Sequence, residues 1–388
     1  MSIIKKKIGI VGGGQLGKMM ILEAKRLGLH IVVLDPAADC PAHSISDEHV
    51  VAPFDELQGY RELAEKVGKD GVITYEFEHI NVSALESLEK DGYSVYPSVT
   101  SLSVIQNKFQ QKSFLQKREI AVPRFAKVSS VDDILKLGMP DGFGFPLMLK
   151  TTTGGYDGKG NALIKDESSA ESAFEQLGGG KLELMAEEFV DFEKEISVIA
   201  CRGLDNKSVA YPIAENIHSD SILDTTIVPA RIDLLTTTKA TSMALEVMEA
   251  FEGVGTFCVE LFVAKNGELY VNEVAPRPHN SGHYTIEGCF ANQFENHIRA
   301  IVGLPLGDTK LIQPTVMVNL LGQSDGAARV DGLERAYLVP KVHVHFYGKS
   351  ESKIGRKMGH FTVADSNVDM ALIRANELKK IVRIIGDE

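Results

Sequence analysis

The chain has 388 residues, enough for two or three domains with hydrophobic cores, and its 44% hydrophobic and 24% charged residues are ordinary for a globular protein. Its net charge of −12 argues against nucleic acid or an anionic membrane surface as the main partner. Small anionic substrates stay open, because a site needs only a few local cations. The four cysteines, Cys40, Cys201, Cys258 and Cys289, form no C-x-x-C pair, which argues against zinc and favours a reduced, cytoplasmic setting. No apolar run approaches the roughly 18 residues of a membrane span.

A glycine-rich turn follows the first predicted strand, in "KIGIVGGGQLGKMM" from Lys7. Gly12, Gly14 and Gly17 have the G-x-G-x-x-G spacing, and Asp35 closes the next strand, "HIVVLD". This spacing is typical of a dinucleotide-binding unit, so a nicotinamide-dependent dehydrogenase is one interpretation. Glycines are equally required wherever a strand turns tightly into a closely packed helix. The turn alone leaves the ligand open.

Strand and helix patterns alternate over residues 1–97, ending in "YSVYP", which predicts a parallel sheet with helices on its faces. "TYEFEHI" lies at the carboxyl end of its strand, where such sheets bind ligands, so Glu76 and Glu78 are either ligand-facing or solvated loop carboxylates. One long helical stretch follows, "SLSVIQNKFQQKSFLQKREI". Two β-containing blocks and a small β-rich piece come after it. We predict three domains, over residues 1–97, 98–304 and 305–388.

A lysine and a glycine-rich loop stand together in "LMLKTTTGGYDGKGNALI". An apolar strand ends in Lys150, which needs a partner if it is buried. The glycines that follow let main-chain N–H groups face an oxyanion, and Lys159 adds positive charge, so the loop suits phosphate. It lacks the G-K-[ST] of a Walker loop. The alternative is a flexible hairpin tip.

The segment "VELFVAKNGELYVNE" predicts a β-hairpin with a two-residue type I′ turn at Asn266-Gly267. That register pairs Lys265 with Glu268 and Glu260 with Glu273, which places two carboxylates side by side. Such carboxylates repel each other unless one is protonated or a dication lies between them. Carboxylates beside phosphate suit Mg²⁺, and Asn272 offers a further oxygen. A shared proton or a splayed pair is the alternative.

Two further polar segments follow. "NEVAPRPHNSGHYTIE" places Arg277, His279 and Asn280 within a few residues, a density of donors that suits a small oxyanion or a sugar phosphate. A structural polar turn is the other interpretation. "HFYGKSESKIGRKMGH" carries four cations that indicate either a second anionic ligand or a solvated face: Lys349, Lys353, Arg356 and Lys357.

Together these segments resemble the ATP-grasp superfamily along nearly the whole chain, and within it the N5-carboxyaminoimidazole ribonucleotide synthase family of purine biosynthesis. The matching stretches are "GGGQLGKMM", "TYEFEHI", "GGYDGKG", "EEFVDFEKEIS", "YPIAENIH", "VPARI", "APRPHNSGHYTIE" and "GRKMGH". The resemblance implies a fold that combines α/β and α+β parts. A Rossmann-like pre-ATP-grasp domain (1–97) would precede an ATP-grasp domain (98–304, with a lid at about 124–188) and a small β-rich C-terminal domain (305–388). It also implies that no nicotinamide binds.

The resemblance further implies a cytoplasmic homodimer that uses ATP, Mg²⁺ and bicarbonate to carboxylate 5-aminoimidazole ribonucleotide through carboxyphosphate. The residues that it places at ATP are Lys108, Lys150, Gly155, Tyr156, Asp157, Gly158, Lys159, Gly160, Glu187, Glu188, Phe189, Val190, Glu195, His218, Asn272 and Glu273. Those at the metal are Glu260 and Glu273, those in catalysis are Asp157, Arg277, His279, Asn280 and Lys349, and those at the ribonucleotide are Gln15, Leu16, Glu76, Lys349 and Arg356. Thr152 and Lys108 depart from the family pattern, in which arginine is common.

Three alternatives stay open on the sequence. A formate-dependent glycinamide ribonucleotide transformylase, or another ATP-grasp ligase, would keep the fold and change the substrates. A non-catalytic nucleotide-binding subunit would have no need for Lys150 and the paired carboxylates Glu260 and Glu273. A nicotinamide dehydrogenase would leave the polar residues outside the N-terminal domain unexplained.

Overall fold

The computed structural model describes residues 6–155 and 159–387. Tyr156, Asp157 and Gly158, which belong to the predicted glycine-rich loop, lie outside the described residues. The fold combines a parallel α/β part with antiparallel sheets, as the sequence predicts. Within the described ranges, no helix is both long and apolar enough to cross a membrane.

The first part of the chain forms a four-stranded parallel sheet in the order β3-β2-β1-β4. Its strands other than the edge strand β3 are buried on both faces, which explains their largely apolar sequences. The predicted last strand, "YSVYP", is wrong as a strand: it contributes one bridge, between Ile73 and Val95, since Pro97 has no N–H to continue a ladder. The elements are β1 (Lys7–Val11), α1 (Gln15–Arg26), β2 (His30–Leu34), β3 (Glu48–Val50), α2 (Leu57–Val67), β4 (Val72–Tyr75) and α3 (Val82–Lys90).

The predicted long helix is two helices, α4 (Val99–Ile105) and α5 (Lys108–Gln116). Asn107 separates them because its backbone is extended, with φ −110° and ψ 111°, and its side chain accepts a hydrogen bond from the Gln110 N–H. This is the geometry of a helix N-cap. Lys108 therefore begins a new helix.

The next part is a small antiparallel sheet in the order β5-β8-β6-β7, with a hydrophobic core of its own under two helices. It corresponds to the predicted lid, and β6 ends beside the glycine-rich loop. The elements are β5 (Phe125–Val128), α6 (Val131–Gly138), β6 (Leu147–Thr151), β7 (Asn161–Ile164), α7 (Ala170–Gln176) and β8 (Leu184–Glu188).

The remaining chain builds a nine-stranded sheet, along which the order is β14-β13-β9-β11-β12-β15-β19-β17, and β10 pairs with β9. A separate small sheet has the order β18-β16-β20. The large sheet runs without a break from the central strands into those of the predicted C-terminal domain. The elements are β9 (Phe192–Arg202), β10 (Ser208–Ala210), β11 (Ala214–Ser219), β12 (Ile222–Val228), α8 (Leu234–Ala250), β13 (Gly255–Ala264), β14 (Leu269–Ala275), α9 (Thr285–Gly288), α10 (Gln293–Val302), β15 (Thr315–Leu321), β16 (Gly326–Asp331), α11 (Leu333–Ala336), β17 (Val342–Phe346), β18 (Glu351–Ser352), β19 (Lys357–Ala364), α12 (Val368–Lys379) and β20 (Arg383–Asp387).

Candidate active site

A cavity of about 750 Å³ lies where the N-terminal sheet, the lid and the large sheet meet. A volume of this order suits a nucleotide or a similar small molecule. Most of the predicted site residues line it: Gln15, Leu16, Glu76, Lys108, Lys150, Gly155, Glu187, Glu188, Phe189, Val190, Glu195, His218, Glu260, Asn272, Glu273, Arg277, His279 and Asn280. The predicted residues Lys159, Gly160, Lys349 and Arg356 are not part of the lining that the described residues form.

The two predicted metal carboxylates face each other across the ladder of β13 and β14. Glu260 pairs with Glu273, which confirms the predicted pairing. The next pair along is Leu261 with Val271, so Asn272 is an extra residue on β14. This β-bulge places Asn272 next to the carboxylates.

The predicted two-residue turn of this hairpin is wrong. Ala264, instead of Lys265, pairs with Glu268: its N–H donates to the Glu268 carbonyl over 2.9 Å. The Gly267 N–H donates to the Ala264 carbonyl over 2.8 Å, and Gly267 has a φ of +83°. This is a three-residue loop with a left-handed glycine. The loop shifts the register by one residue, and the bulge shifts it back, which is why the carboxylates still meet.

The two carboxylates have different electrostatic surroundings. Desolvation in the cavity wall, followed by the charge of Glu273, raises the pKa of Glu260 to about 7. Desolvation also raises the pKa of Glu273, but the ammonium of Lys108, 2.7 Å from its Oε2, lowers it by more, so that this pKa ends below its usual value. An Mg²⁺ ion fits this oxygen pair, because a dication would neutralise the repulsion that the raised pKa reflects.

A buried carboxylate holds two lysines at the lid side of the cavity. The Glu187 side chain is 3% exposed; its Oε2 accepts a hydrogen bond from Lys150 over 2.7 Å, and its Oε1 lies 3.3 Å from Lys112 Nζ as an ion pair. Burial raises the pKa of Glu187, but the two lysines lower it by more. The ATP contact expected of Glu187 stays a prediction, since both oxygens of this carboxylate contact lysines.

Lys112 is a site residue that the sequence reasoning missed. Burial lowers its pKa to about 8, and its ammonium also donates to the carbonyl of Asn272 over 3.0 Å, at the bulge. Lys112 lies four residues after Lys108 on α5, so both lysines occupy one face of the helix. The four-residue spacing of Lys108 and Lys112 was the sequence pattern that could have identified Lys112 as a site residue.

Glu76 occupies the glycine-rich turn. Its carboxylate accepts hydrogen bonds from the Gly14 N–H over 2.5 Å and from the Gly17 N–H over 2.6 Å, while the Gly13 N–H donates to Asp35 over 2.8 Å. Burial raises the pKa of Glu76, and the two N–H groups oppose that rise. A dinucleotide pyrophosphate would need the same N–H groups. The dehydrogenase interpretation is therefore wrong.

The predicted oxyanion residues gather on one wall of the cavity. Arg277 Nε lies 2.9 Å from an oxygen of Glu78, a carboxylate that the sequence left between two interpretations. Both side chains are mostly buried, at 16% exposure each. Glu78 therefore balances the charge of Arg277 within the wall.

Asn280 is held by a second asparagine. Its Nδ2 donates to Asn319 Oδ1 over 2.9 Å, and Asn319 Nδ2 donates back to Asn280 Oδ1 over 2.7 Å. Asn319 belongs to β15, and the sequence reasoning missed it. An asparagine within the apolar strand "TVMVNLLG" was the signal, because a buried amide requires partners.

Two further predicted residues form an ion pair. His218 Nδ1 lies 2.8 Å from Glu195 Oε2, on neighbouring strands of the large sheet. Burial lowers the pKa of His218, but the Glu195 carboxylate raises it by more. The pair brings the His218 imidazole close to the paired carboxylates, since the charge of Glu260 also raises its pKa.

The cationic segment after β17 contributes one residue to the lining. Lys357, the first residue of β19, lines the cavity. Lys349 donates to the carbonyl of Lys357 over 2.7 Å, and Arg356 donates to the carbonyl of Glu351 over 2.8 Å. Lys357 is thus the cation of this segment that reaches the cavity lining, and the predicted ribonucleotide-binding role of Lys349 and Arg356 stays a prediction.

Three domain families match the chain in sequence order. They are a ribonucleotide synthetase preATP-grasp domain over residues 5–106, an ATP-grasp domain over 113–294 and a phosphoribosylaminoimidazole carboxylase C-terminal domain over 315–374. This order confirms the predicted fold class. The boundaries at 97 and 304 stay predictions.

Whole-chain relatives agree with these matches. An N5-carboxyaminoimidazole ribonucleotide synthase of Staphylococcus aureus (strain COL) is 41% identical over 364 residues, which are 93% of this chain and 93% of that protein. The chloroplastic phosphoribosylaminoimidazole carboxylase of Vigna aconitifolia is 40% identical over 93% of this chain, which spans 64% of that protein's length.

A solved structure has the same fold. The N5-carboxyaminoimidazole synthase of Aspergillus clavatus, in complex with ADP and 5-aminoimidazole ribonucleotide, superposes with a TM-score of 0.89 at 35% identity, covering 98% of this chain and 99% of that one. This chain therefore belongs to the N5-carboxyaminoimidazole ribonucleotide synthase family of ATP-grasp ligases.

Proposed function

We propose that this chain carboxylates 5-aminoimidazole ribonucleotide with bicarbonate, at the expense of ATP, to give N5-carboxyaminoimidazole ribonucleotide, ADP and phosphate. The observation that carries the proposal is one cavity that combines lysines suited to phosphate, paired carboxylates suited to Mg²⁺ and an Arg–His–Asn wall suited to an oxyanion. The Aspergillus clavatus relative, bound to ADP and 5-aminoimidazole ribonucleotide, supports the choice of ligands.

The reaction has two transfers. A bicarbonate oxygen attacks the γ-phosphorus of ATP, the bond to the β,γ-bridging oxygen breaks, and ADP leaves. The exocyclic amine of the ribonucleotide then attacks the carbon of carboxyphosphate, phosphate leaves, and the amine loses a proton. Both steps need positioning and neutralisation of charge, and neither needs a protein nucleophile.

The lysines supply that neutralisation on the ATP side. Lys150 extends from the lid strand β6, and Lys108 begins α5, so the two ammonium groups approach the cavity from different elements. Lys150 is held in place by Glu187 and Lys108 by Glu273. Fixed ammonium groups stabilise negative charge without reorganising during the reaction.

Glu260 and Glu273 would hold Mg²⁺, with Asn272 adjacent. When bound, the ion would neutralise phosphate oxygens of ATP. The two carboxylates themselves provide oxygen ligands at one position, where β13 and β14 pair. Lys108, which lies against Glu273, links that position to the phosphates.

The bicarbonate side is proposed to lie at Arg277, His279 and Asn280. Arg277 supplies the positive charge that an anion needs, and Asn280 offers an amide whose orientation is fixed by Asn319. On the ribonucleotide side we place Gln15, Leu16 and Lys357, all of which line the cavity. The proton-transfer role of Asp157 stays a prediction, because this residue lies outside the described ones.

We also propose a cytoplasmic homodimer. The support for a reducing compartment is that the four cysteines are free and buried. The support for the dimer is the family resemblance alone.

The test is phosphate release from MgATP and bicarbonate, with and without 5-aminoimidazole ribonucleotide. We expect strong stimulation by the ribonucleotide, its loss in Glu273→Gln, and its retention in Glu268→Gln, an exposed carboxylate on the same hairpin. Stimulation by formate in place of bicarbonate would support the transformylase instead. ATP binding without stimulation by either would support the non-catalytic subunit.

A further inference from the structure

A row of buried polar side chains lies behind His279. It consists of Thr226, Asn216, Ser197 and Ser281, which are at most 7% exposed and do not belong to the cavity lining. Each contacts the next: Thr226 Oγ1 to Asn216 Oδ1 at 3.1 Å, Asn216 Nδ2 to Ser197 Oγ at 3.0 Å, and Ser197 Oγ to Ser281 Oγ at 2.8 Å. Ser281 Oγ is in turn 2.9 Å from His279 Nδ1. We call these four residues the relay row.

The amide of Asn216 sets the direction of these hydrogen bonds. Its Oδ1 can only accept, so the Thr226 hydroxyl donates to it, and its Nδ2 can only donate, so Ser197 accepts. The Ser197 hydrogen is then directed to Ser281 Oγ. Ser281 Oγ accepts this hydrogen, and its own hydrogen is then available to Nδ1 of the imidazole, 2.9 Å away.

A second donor reaches the same nitrogen. The main-chain N–H of Ser281 lies 3.3 Å from His279 Nδ1 and has no lone pair to offer. Both groups of Ser281, the hydroxyl at the shorter distance of 2.9 Å, favour an unprotonated Nδ1 in a neutral ring. We propose that the relay row holds His279 in the tautomer with its proton on Nε2, so that His279 presents an N–H donor to the cavity.

This tautomer suits an oxyanion. His279 Nε2 lies 3.6 Å from Glu260 Oε1, at the wall assigned to bicarbonate. A neutral ring with its proton on Nδ1 would turn a lone pair toward bicarbonate and repel it. The relay row consists of positioning residues for the reaction, a role that rests on the proposed function.

The same tautomer bears on a possible transition-metal site. The donor atoms of Cys258, Glu260 and His279 lie within 4.8 Å of one another. A metal bound through Nε2 would need that nitrogen unprotonated, which the relay row disfavours. Burial also raises the pKa of the Cys258 thiol well above its usual value, and its sulfur, 3.7 Å from Ser281 Oγ, is placed to donate to that oxygen.

The discriminating variant is Asn216→Asp. A carboxylate has the shape of the amide but no N–H, so the Ser197 hydroxyl would turn to donate to it. Ser281 would then donate to Ser197, and its oxygen, 2.9 Å away, would accept the Nδ1 proton of His279, with only the longer contact of the Ser281 N–H, at 3.3 Å, opposing that tautomer. We expect the turnover number with bicarbonate to fall by roughly 10- to 100-fold, the effect of losing a hydrogen bond to a charged group, with the KM for ATP unchanged.

The double variant Asn216→Asp/Ser197→Ala separates this reversal from the mere addition of a negative charge. Without the Ser197 hydroxyl the reversal cannot reach His279, so we expect activity to recover toward that of Ser197→Ala alone. Asn296→Asp is the matched control for a buried carboxylate, because Asn296 is fully buried and pairs with Tyr211 outside the cavity. Ser101→Ala is the control for losing one buried hydroxyl.

The tautomer itself is read by 15N spectroscopy of histidine-labelled protein, with His279→Gln used to assign the signal. The proposal requires a protonated Nε2 in the wild type and a protonated Nδ1 in Asn216→Asp. It is overturned by a protonated Nδ1 in the wild type, by an unchanged tautomer in Asn216→Asp, or by a double variant that does not recover. If the wild type shows no turnover with bicarbonate, the proposed function fails, whereas the spectrum still decides the tautomer.

Discussion

Replacing Glu260 by glutamine should stabilise the protein in the absence of metal, although it removes a predicted magnesium ligand. The pKa of Glu260 is about 7 in the folded protein, against an ordinary 4.5. One pKa unit corresponds to about 1.36 kcal/mol, so the ionised form costs at most about 3 kcal/mol above pH 7. Because the side chain is 27% exposed, solvent screens part of this, and we expect a gain of about 1–3 kcal/mol.

The sign of the pH dependence follows from the raised pKa. Folding favours the protonated carboxyl. Glu260 therefore makes its full contribution to the free energy of unfolding of the wild type below pH 4.5, and this contribution is lost as the pH rises to about 7. Glutamine has no charge to lose. The difference between variant and wild type should therefore grow between pH 4.5 and 7 and stay constant above.

The assay is urea unfolding with EDTA across this pH range, with Glu268→Gln as the control at the tip of the same hairpin. Repeating it with MgCl2 should stabilise the wild type and leave Glu260→Gln unchanged. A variant no more stable than the wild type at pH 8, or a difference independent of pH, would refute the raised pKa of Glu260 that desolvation and the charge of Glu273 produce.

Three further predictions follow from single contacts. Gly17→Ala should lower the free energy of unfolding by about 1–3 kcal/mol, because the added Cβ would lie 2.5 Å from the carbonyl oxygen of Gly12; unchanged urea unfolding would contradict this. Lys150→Met should raise the KM for ATP by about tenfold or more, since it removes a phosphate-facing ammonium and leaves Glu187 with one cation; an unchanged KM would place the phosphates elsewhere. Asn319→Ala should lower kcat/KM for bicarbonate by about tenfold with the KM for ATP unchanged, by releasing the amide that it pairs with; equal losses for both substrates would indicate a general loss of structure.

In the hairpin of β13 and β14, local sequence patterns predicted the pairing of the two strands but not the length of the loop. Asn-Gly is a strong signal for a two-residue turn, yet the loop has three residues. The pairing of Glu260 with Glu273 was predicted correctly only because the bulge at Asn272 compensates. That bulge is stabilised by Lys112, about 160 residues earlier in the chain, and no local pattern in the hairpin reports such a contact.

Other features of the site also could not be predicted from local sequence, because they depend on contacts between residues far apart in the chain. The spacing of the glycines identified the glycine-rich turn. The group that accepts hydrogen bonds from its N–H groups is Glu76, roughly 60 residues later in the chain. The predicted long helix broke at Asn107, a residue whose side chain favours caps over helix interiors. In contrast, the cavity-lining residues carried over from motifs were mostly brought together, because most of these motifs sit at or near the end of a strand.

The uninterrupted large sheet has a consequence for any attempt to divide this protein. Cutting the chain near residue 304 would remove β15 and leave β12, from Ile222 to Val228, with a row of unpaired N–H and C=O groups. Such an edge is a template for association with other chains. The fragment would also expose Ile227, which packs in the core formed with the C-terminal strands. The last fifth of the chain thus covers an edge and a core surface of the preceding part, and we expect a shortened protein to aggregate before its activity can be assayed.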